Sequence, residues 1–232
     1  MDAERLPIMC GRFALPTPAK SLAEHFSTNA FPEYEPRYNI APSQMVPAVI
    51  HENAESGRSI RLFRWGLIPF WAKDTKIGYK LINARAETLS EKPSFKAAYT
   101  KRRCLIPTTG FYEWKKDGKE KQPYYFHMRD NSLFGFAGLW ERWKGEQGLT
   151  IDSCTIITTT PNDLVGTFHN RMPVILDPAD YDSWLNMVNT DTESLQSLLI
   201  PFPADMMASY PVNMLVNSPK NEGPECIERI VV

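Results

Sequence analysis

The chain reads as an α+β protein: one compact, strand-rich domain with short helices between mostly antiparallel, curved sheets. Three observations predict this class. Segments rich in β-branched and aromatic residues recur along the chain, the composition that suits a pleated, half-buried surface. They do not alternate with long helical patterns, so there is no βαβ rhythm and no reason to build a doubly wound parallel sheet. Nineteen prolines in 232 residues punctuate the chain with turns and loops and argue against long helices.

The elements follow in order. Pro16–Phe26 places Thr17 as a helix N-cap and Pro18 at the first helical position, so a short helix starts there. Met45–Ile50 and Ile60–Pro69 read as strands. Lys92–Cys104 is helical up to its basic run, and Cys104–Lys116 returns to strand character. Asp117-Gly118 lies between two strand-like runs and signals a hairpin. Ser132–Trp143 and Cys154–Thr160 are apolar and β-branched enough to be buried strands. Asp177-Pro178 opens another helix, and Asp191–Leu199 a last short one.

A chain of this length can bury a sizeable core. No apolar run approaches the ~20 residues of a membrane span, and the first residues lack the pattern of a secretory signal. The protein therefore reads as cytoplasmic, without a membrane partner. The four cysteines, Cys10, Cys104, Cys154 and Cys226, match no zinc or redox spacing, so no metal or cofactor is expected and the thiols should be free. Cys104, Cys154 and Cys226 sit in or beside apolar runs, where cysteine behaves as a small hydrophobe. Net charge is −1 but unevenly spread. Residues 1–126 hold 20 Lys+Arg against 13 Asp+Glu, a balance of +7, and residues 127–232 hold 6 against 14, a balance of −8. A polyanion would be met mainly by the N-terminal half.

Cys10 stands directly after Met9 and before Gly11-Arg12-Phe13. Removal of Met9 would give Cys10 a free α-amine of pKa ~7.7–8, far below the ~10.4 of lysine, beside a thiol of pKa ~8.5. An aldehyde would form a Schiff base with the amine, and the thiol would close a five-membered thiazolidine. An internal cysteine retains only thiol chemistry. Asn83 and Arg85 lie two apart and face the same way if extended, a pairing suited to an anionic or sugar-like ligand; the plainer alternative is that Asn83 turns the backbone before a helix at Ala86–Ser90. Glu113 lies between Tyr112 and Trp114, where desolvation would raise its pKa, or it faces solvent on an alternating strand. His169 and Arg171 precede an apolar strand, and histidine is the usual proton shuttle near neutral pH. Trp65, Phe70 and Trp71 interleave with Arg64, Lys73 and Lys76, as single-stranded nucleic acid requires, or the tryptophans belong to the core.

Together, Met-Cys-Gly-Arg-Phe, RYNIAPSQ, RWGLIPFWA, INARAET, FYEWK, HNRMPVIL and LVNSPKN resemble, in order, the SOS response-associated peptidase (SRAP) family of abasic-site-processing proteins. The resemblance runs from Met9 to about Asn221. It implies a compact α+β fold with barrel-like sheets, acting as a monomer in the cytoplasm and at the nucleoid in the DNA damage response. It implies attachment to abasic sites in single-stranded DNA through a stable thiazolidine on Cys10, by lyase-type Schiff-base chemistry. Asn83 would orient the cysteine and sugar, Glu113 would move protons in ring opening and reversal, and His169 would assist Schiff-base formation. Arg12, Arg85 and Arg171 would hold phosphates, and Phe70 and Trp71 would stack on and kink the DNA. Residues 1–8 are an extension to the family domain at 9–232: a start assigned too early, a remnant, or a propeptide removed by the chain's own peptidase activity. The rivals are an N-terminal-nucleophile hydrolase and a binding module that holds modified DNA without a covalent bond.

Overall fold

The computed structural model describes residues 10–51, 57–118 and 120–231; the expectation placed on the extension and Met9 lies outside the described residues. In chain order the elements are β1 (Phe13–Leu15), α1 (Ala19–His25), β2 (Thr28–Ala30), β3 (Arg37–Ile40), β4 (Met45–His51), β5 (Arg58–Trp65), β6 (Asn83–Arg85), α2 (Lys96–Lys101), β7 (Arg103–Thr108), β8 (Gly110–Asp117), β9 (Glu120–Met128), β10 (Phe134–Lys144), β11 (Thr150–Thr159), α3 (Asp163–Gly166), β12 (Met172–Pro173), β13 (Ile175–Leu176), α4 (Tyr181–Leu185), α5 (Thr192–Ser197) and β14 (Met207–Pro211).

Strands β5, β4, β7, β10 and β11 pair in that order, and β11 returns to β5 through a parallel contact at Ser153–Arg64 and Cys154–Trp65. This closes a five-stranded barrel, which removes the sheet's exposed edges. β6 adds to β11 in parallel, with Asn83 opposite Ile156 and Arg85 opposite Thr158. Closure demands a close approach at Gly138, where a Cβ would lie 2.9 Å from the Cys104 sulfur and 3.0 Å from the Thr155 carbonyl. A second sheet, ordered β14-β9-β8-β1-β3, packs on the barrel through aromatic rings. Phe13 of β1 meets Trp65 at 5.2 Å and Phe136 at 6.1 Å, and Phe111 of β8 meets Phe136 at 5.9 Å. The joint core is extensive because the barrel strands are covered on both faces: β7 is buried at every position, and β4, β10 and β11 over continuous runs, as strands packed on both sides are.

The expected elements are present with shifted ends. The first helix begins at Ala19, with Pro18 rather than Thr17 at its N-cap, because Pro18 has a φ of −60°, which its ring sets, but an extended ψ of 147° that leaves it just outside the helix. The strand expected over Ile60–Pro69 stops at Trp65, since Gly66 turns the chain at φ +125°. The helix expected at Ala86–Ser90 is a single 3₁₀ turn, Ala86–Thr88. The hairpin holds, with Asp117 paired to Glu120 and Gly118 in the left-handed region at φ +57°. Among the described residues, no helix is long and apolar enough to cross a membrane.

Candidate functional site

The site forms where the residues leading into β1 run alongside the first half of β8. Antiparallel pairing sets Phe13 opposite Phe111 and Ala14 opposite Gly110, and the Tyr112 N–H donates to the Arg12 carbonyl at 3.0 Å. The residues before Phe13 are thereby laid along those after Phe111. Cys10 ends up 3% exposed, with its main-chain N–H donating to Glu113 Oε1 at 3.0 Å and its thiol close enough to the same carboxylate for each group to shift the other's titration. Cys10 adopts φ +44°, a left-handed conformation that costs a non-glycine residue roughly 1–2 kcal/mol. The strained residue is thus held by its strand and its carboxylate partner.

Glu113 is 4% exposed. Burial pushes its carboxyl up to about 7, against the opposing pull of the hydrogen bonds from Cys10. The expected direction holds, but the flanking aromatics are not the cause. Strand alternation sends Tyr112 and Trp114 to a separate cluster with Tyr125, Val212 and Val216, whereas Phe111 packs into the main core. Glu113 shares the Phe111 face and is dehydrated between the sheets. Burial also raises the Cys10 thiol, the nearby Glu113 charge raises it further, and Arg171 acts in the opposite direction. At neutral pH the pair holds a neutral thiol beside a carboxyl close to half protonated, which suits proton exchange.

The third component arrives on the loop after α3. The Asn162 side chain caps that helix by accepting from Val165 N–H at 2.9 Å, and Phe168 inserts between Tyr124 and Phe126 of β9, 4.8 and 4.9 Å away. This seats His169 and Arg171 beside the small sheet. The Arg171 N–H donates to His169 Nδ1 at 3.2 Å, so the neutral imidazole carries its proton on Nε2. Burial lowers the His169 pKa and keeps the ring neutral at physiological pH. The Arg171 guanidinium forms a two-pronged pair with Glu87 at 2.6 and 2.9 Å and also donates to the Thr158 carbonyl at 2.5 Å.

Asn83 opens β6 and does not cap the following turn, whose N-cap is Arg85. Arg85 is exposed, Ala84 between them is buried, and the alternation puts Asn83 and Arg85 on one face. Arg12 points elsewhere: its guanidinium donates to Asn39 Oδ1 at 2.7 Å and to the Val216 carbonyl at 2.5 Å and lies 5.9 Å from the Trp114 ring. Phe70 and Trp71 are 57% and 47% exposed, whereas Trp65 is fully buried and donates to the Ile82 carbonyl. Trp65 therefore belongs to the core and not to a stacking surface.

Several residues of this architecture carried no role in the sequence reading. Asn39, fully buried, accepts from Arg12 and donates to the carbonyls of Ser218 at 2.9 Å and Asn221 at 2.7 Å. Glu222 accepts from the main chain of Tyr38 and Asn39 at 2.7 and 2.8 Å. Two motifs nearly 180 residues apart are thereby one structural joint behind the start of β1. Glu87, two residues beyond Arg85, is a third such residue, since its carboxylate fills the Arg171 fork.

The chain is a strand-rich barrel-and-sheet domain with a buried cysteine–glutamate pair and a His-x-Arg loop. The chain belongs to the SOS response associated peptidase (SRAP) family, whose model matches residues 9–219. It is 51% identical over 224 residues to the abasic site processing protein YoqW of Bacillus subtilis (strain 168), covering 95% of this chain and 99% of that protein. It is 31% identical to the abasic site processing protein HMCES of Xenopus tropicalis, covering 86% of this chain and 68% of the relative. A crystal structure of a protein from Bacteroides thetaiotaomicron superposes with a TM-score of 0.86 at 29% identity, over 96% of this chain and all of the other.

Proposed function

We propose that this protein processes abasic sites in single-stranded DNA by joining Cys10 covalently to the ring-opened sugar. The observation that carries the reading is the hydrogen bond from the Cys10 nitrogen to one buried carboxylate, Glu113, which places the same residue's thiol beside that carboxylate. The names of the relatives, abasic site processing proteins, agree with it.

The chemistry requires the bond between Met9 and Cys10 to be broken, so that the Cys10 nitrogen becomes an amine. That amine adds to the sugar aldehyde carbon, and the carbinolamine loses water to give an imine. The sulfur then adds to the same carbon while the thiol proton passes to nitrogen, closing the thiazolidine with one water released overall. Glu113, close to half protonated at neutral pH, donates to the departing hydroxyl and accepts from the thiol. Neutral His169 assists the same proton movements. Asn83 and exposed Arg85 orient the sugar and its phosphate. Arg171 takes a phosphate in exchange for the Glu87 carboxylate that fills its fork, whereas Arg12 would have to leave Asn39 and the Val216 carbonyl to take one. Phe70 and Trp71 stack on bases. The same pair accounts for self-processing: the Cys10 thiol attacks the Met9 carbonyl, Glu113 protonates the departing Cys10 nitrogen, and water hydrolyses the thioester.

An oligonucleotide bearing one abasic site, incubated with the protein and run on a denaturing gel, tests the reading. The parent protein should give a heat-stable adduct and Cys10→Ala none, and intact mass should show a chain beginning at Cys10. An equal adduct from Cys10→Ala overturns the assignment.

A further inference from the structure

We propose that Glu141 is a positioning residue for DNA binding: its buried carboxylate fixes the turn that presents Phe70 and Trp71 to the strand. The inference rests on the reading above, in which those two rings stack on bases, and it concerns what holds them in place.

Phe70 and Trp71 are the two central residues of a β-turn, closed by the Ala72 N–H donating to the Pro69 carbonyl at 2.9 Å. Such a turn joins its own ends and gives the N–H of its second residue no acceptor. Here the Phe70 N–H donates to Glu141 Oε2 at 3.0 Å. The other oxygen, Oε1, accepts from the guanidinium of Arg102, the C-cap of α2. Glu141 is 2% exposed, so water competes little with either bond.

The neighbouring residues are held in the same manner. Ser153 lies directly across from Glu141 on β11, and its hydroxyl accepts from the Ile68 N–H at 2.8 Å. Trp143, two residues along β10 and on the same face, donates its Nε1–H to the Ala72 carbonyl at 2.7 Å. Side chains of β10 and β11 thus anchor the main chain at Ile68, Phe70 and Ala72, while the Phe70 and Trp71 side chains stay exposed. Rings carried on a fixed main chain lose little freedom when a base stacks on them, so little affinity is spent on ordering. A hydroxyl like that of Ser153 would satisfy one N–H. The carboxylate holds two elements at once through charge-assisted bonds. A buried ion pair roughly breaks even against apolar packing, so what this pair adds is one geometry for the turn relative to α2.

The test is a mutant cycle between Glu141→Met and Phe70→Ala/Trp71→Ala, read as the Kd for an undamaged single-stranded oligonucleotide by fluorescence anisotropy. Methionine is close to glutamate in size but has no carboxylate to hold the turn. In the parent background Glu141→Met should weaken binding roughly 2- to 10-fold, the cost of ordering a loosened turn. In the Phe70→Ala/Trp71→Ala background the same change should have no effect, because no ring is left to present. A merely structural role would give equal losses in both backgrounds. Hydrogen exchange should quicken at the Phe70 amide in Glu141→Met and stay unchanged along β10 and β11. If the single variant does not fold, Glu141→Met/Arg102→Met removes the pair without stranding a charge and carries the same expectations. If Phe70→Ala/Trp71→Ala binds like the parent, the stacking reading falls and the positioning role falls with it. If it binds more weakly, the stacking reading stands, and the positioning role alone is overturned by a parent-like Kd for Glu141→Met, by equal losses in the two backgrounds, or by unchanged exchange at Phe70.

Discussion

Replacing Glu113 by glutamine should stabilise the protein and slow its chemistry. Glu113 titrates at about 7 in the folded chain against an ordinary value of 4.5, with burial as the main cause. A carboxyl whose folded pKa lies above its unfolded one favours folding while protonated. That advantage is complete below pH 4.5 and is lost as the pH rises through about 7. A shift of this size corresponds to about 3 kcal/mol at 1.36 kcal/mol per pH unit. Glutamine keeps the shape and the oxygen that accepts from Cys10 N–H but never ionises. The difference in stability between variant and parent should therefore grow by about 3 kcal/mol from pH 4.5 to above 8, which for a chain of this size is roughly 6–12 °C in melting temperature. Denaturant titrations of both proteins at a series of pH values measure it, and titrating groups that are not coupled to Glu113, as the Cys10 thiol is, cancel in the difference. Single-turnover crosslinking of abasic DNA should fall roughly 10²–10⁴-fold in the variant, with binding of undamaged strands unchanged. A stability difference that stays flat with pH would refute the dehydrated carboxyl, and an unchanged crosslinking rate would refute its role.

Trp71→Ala should weaken binding of undamaged single strands by about 1–3 kcal/mol if a base stacks on the exposed ring, and fluorescence anisotropy reads this directly; a parent-like Kd would remove Trp71 from the interface. Glu87→Gln opens the Arg171 fork, so single strands should bind more tightly and with a salt slope steeper by about 0.7; weaker binding would make the Glu87–Arg171 pair a structural clamp. Asn39→Ala breaks a fully buried joint of three good hydrogen bonds, and at about 1–1.5 kcal/mol each the urea midpoint should fall by the equivalent of about 3–5 kcal/mol. A loss below about 1 kcal/mol would mean that water or Arg12 replaces the joint.

Much of the fold was legible because local chemistry sets it. β-branched and aromatic runs became β4, β5, β10 and β11, Asp177 and Asp191 cap the turns that follow them, and Asp117-Gly118 made its hairpin. Two-residue alternation likewise put Asn83 and Arg85 on one face before any contact was known. Family membership was legible too, from seven short motifs in order. Other features depend on pairings between residues far apart in the chain, which no local pattern encodes. The return of β11 to β5 closes the barrel, and that closure makes Trp65 core while leaving Trp71 outside. Glu113 could be exposed or buried on strand pattern alone; the register of β1 on β8 laid Cys10 against it and the apposed barrel dehydrated it. The carboxylate that fills the Arg171 fork comes from Glu87, 84 positions earlier. Chemistry-bearing residues can be named from sequence because their side chains are intrinsic, whereas protonation and pairing depend on solvent exclusion, which only the packed sheets impose.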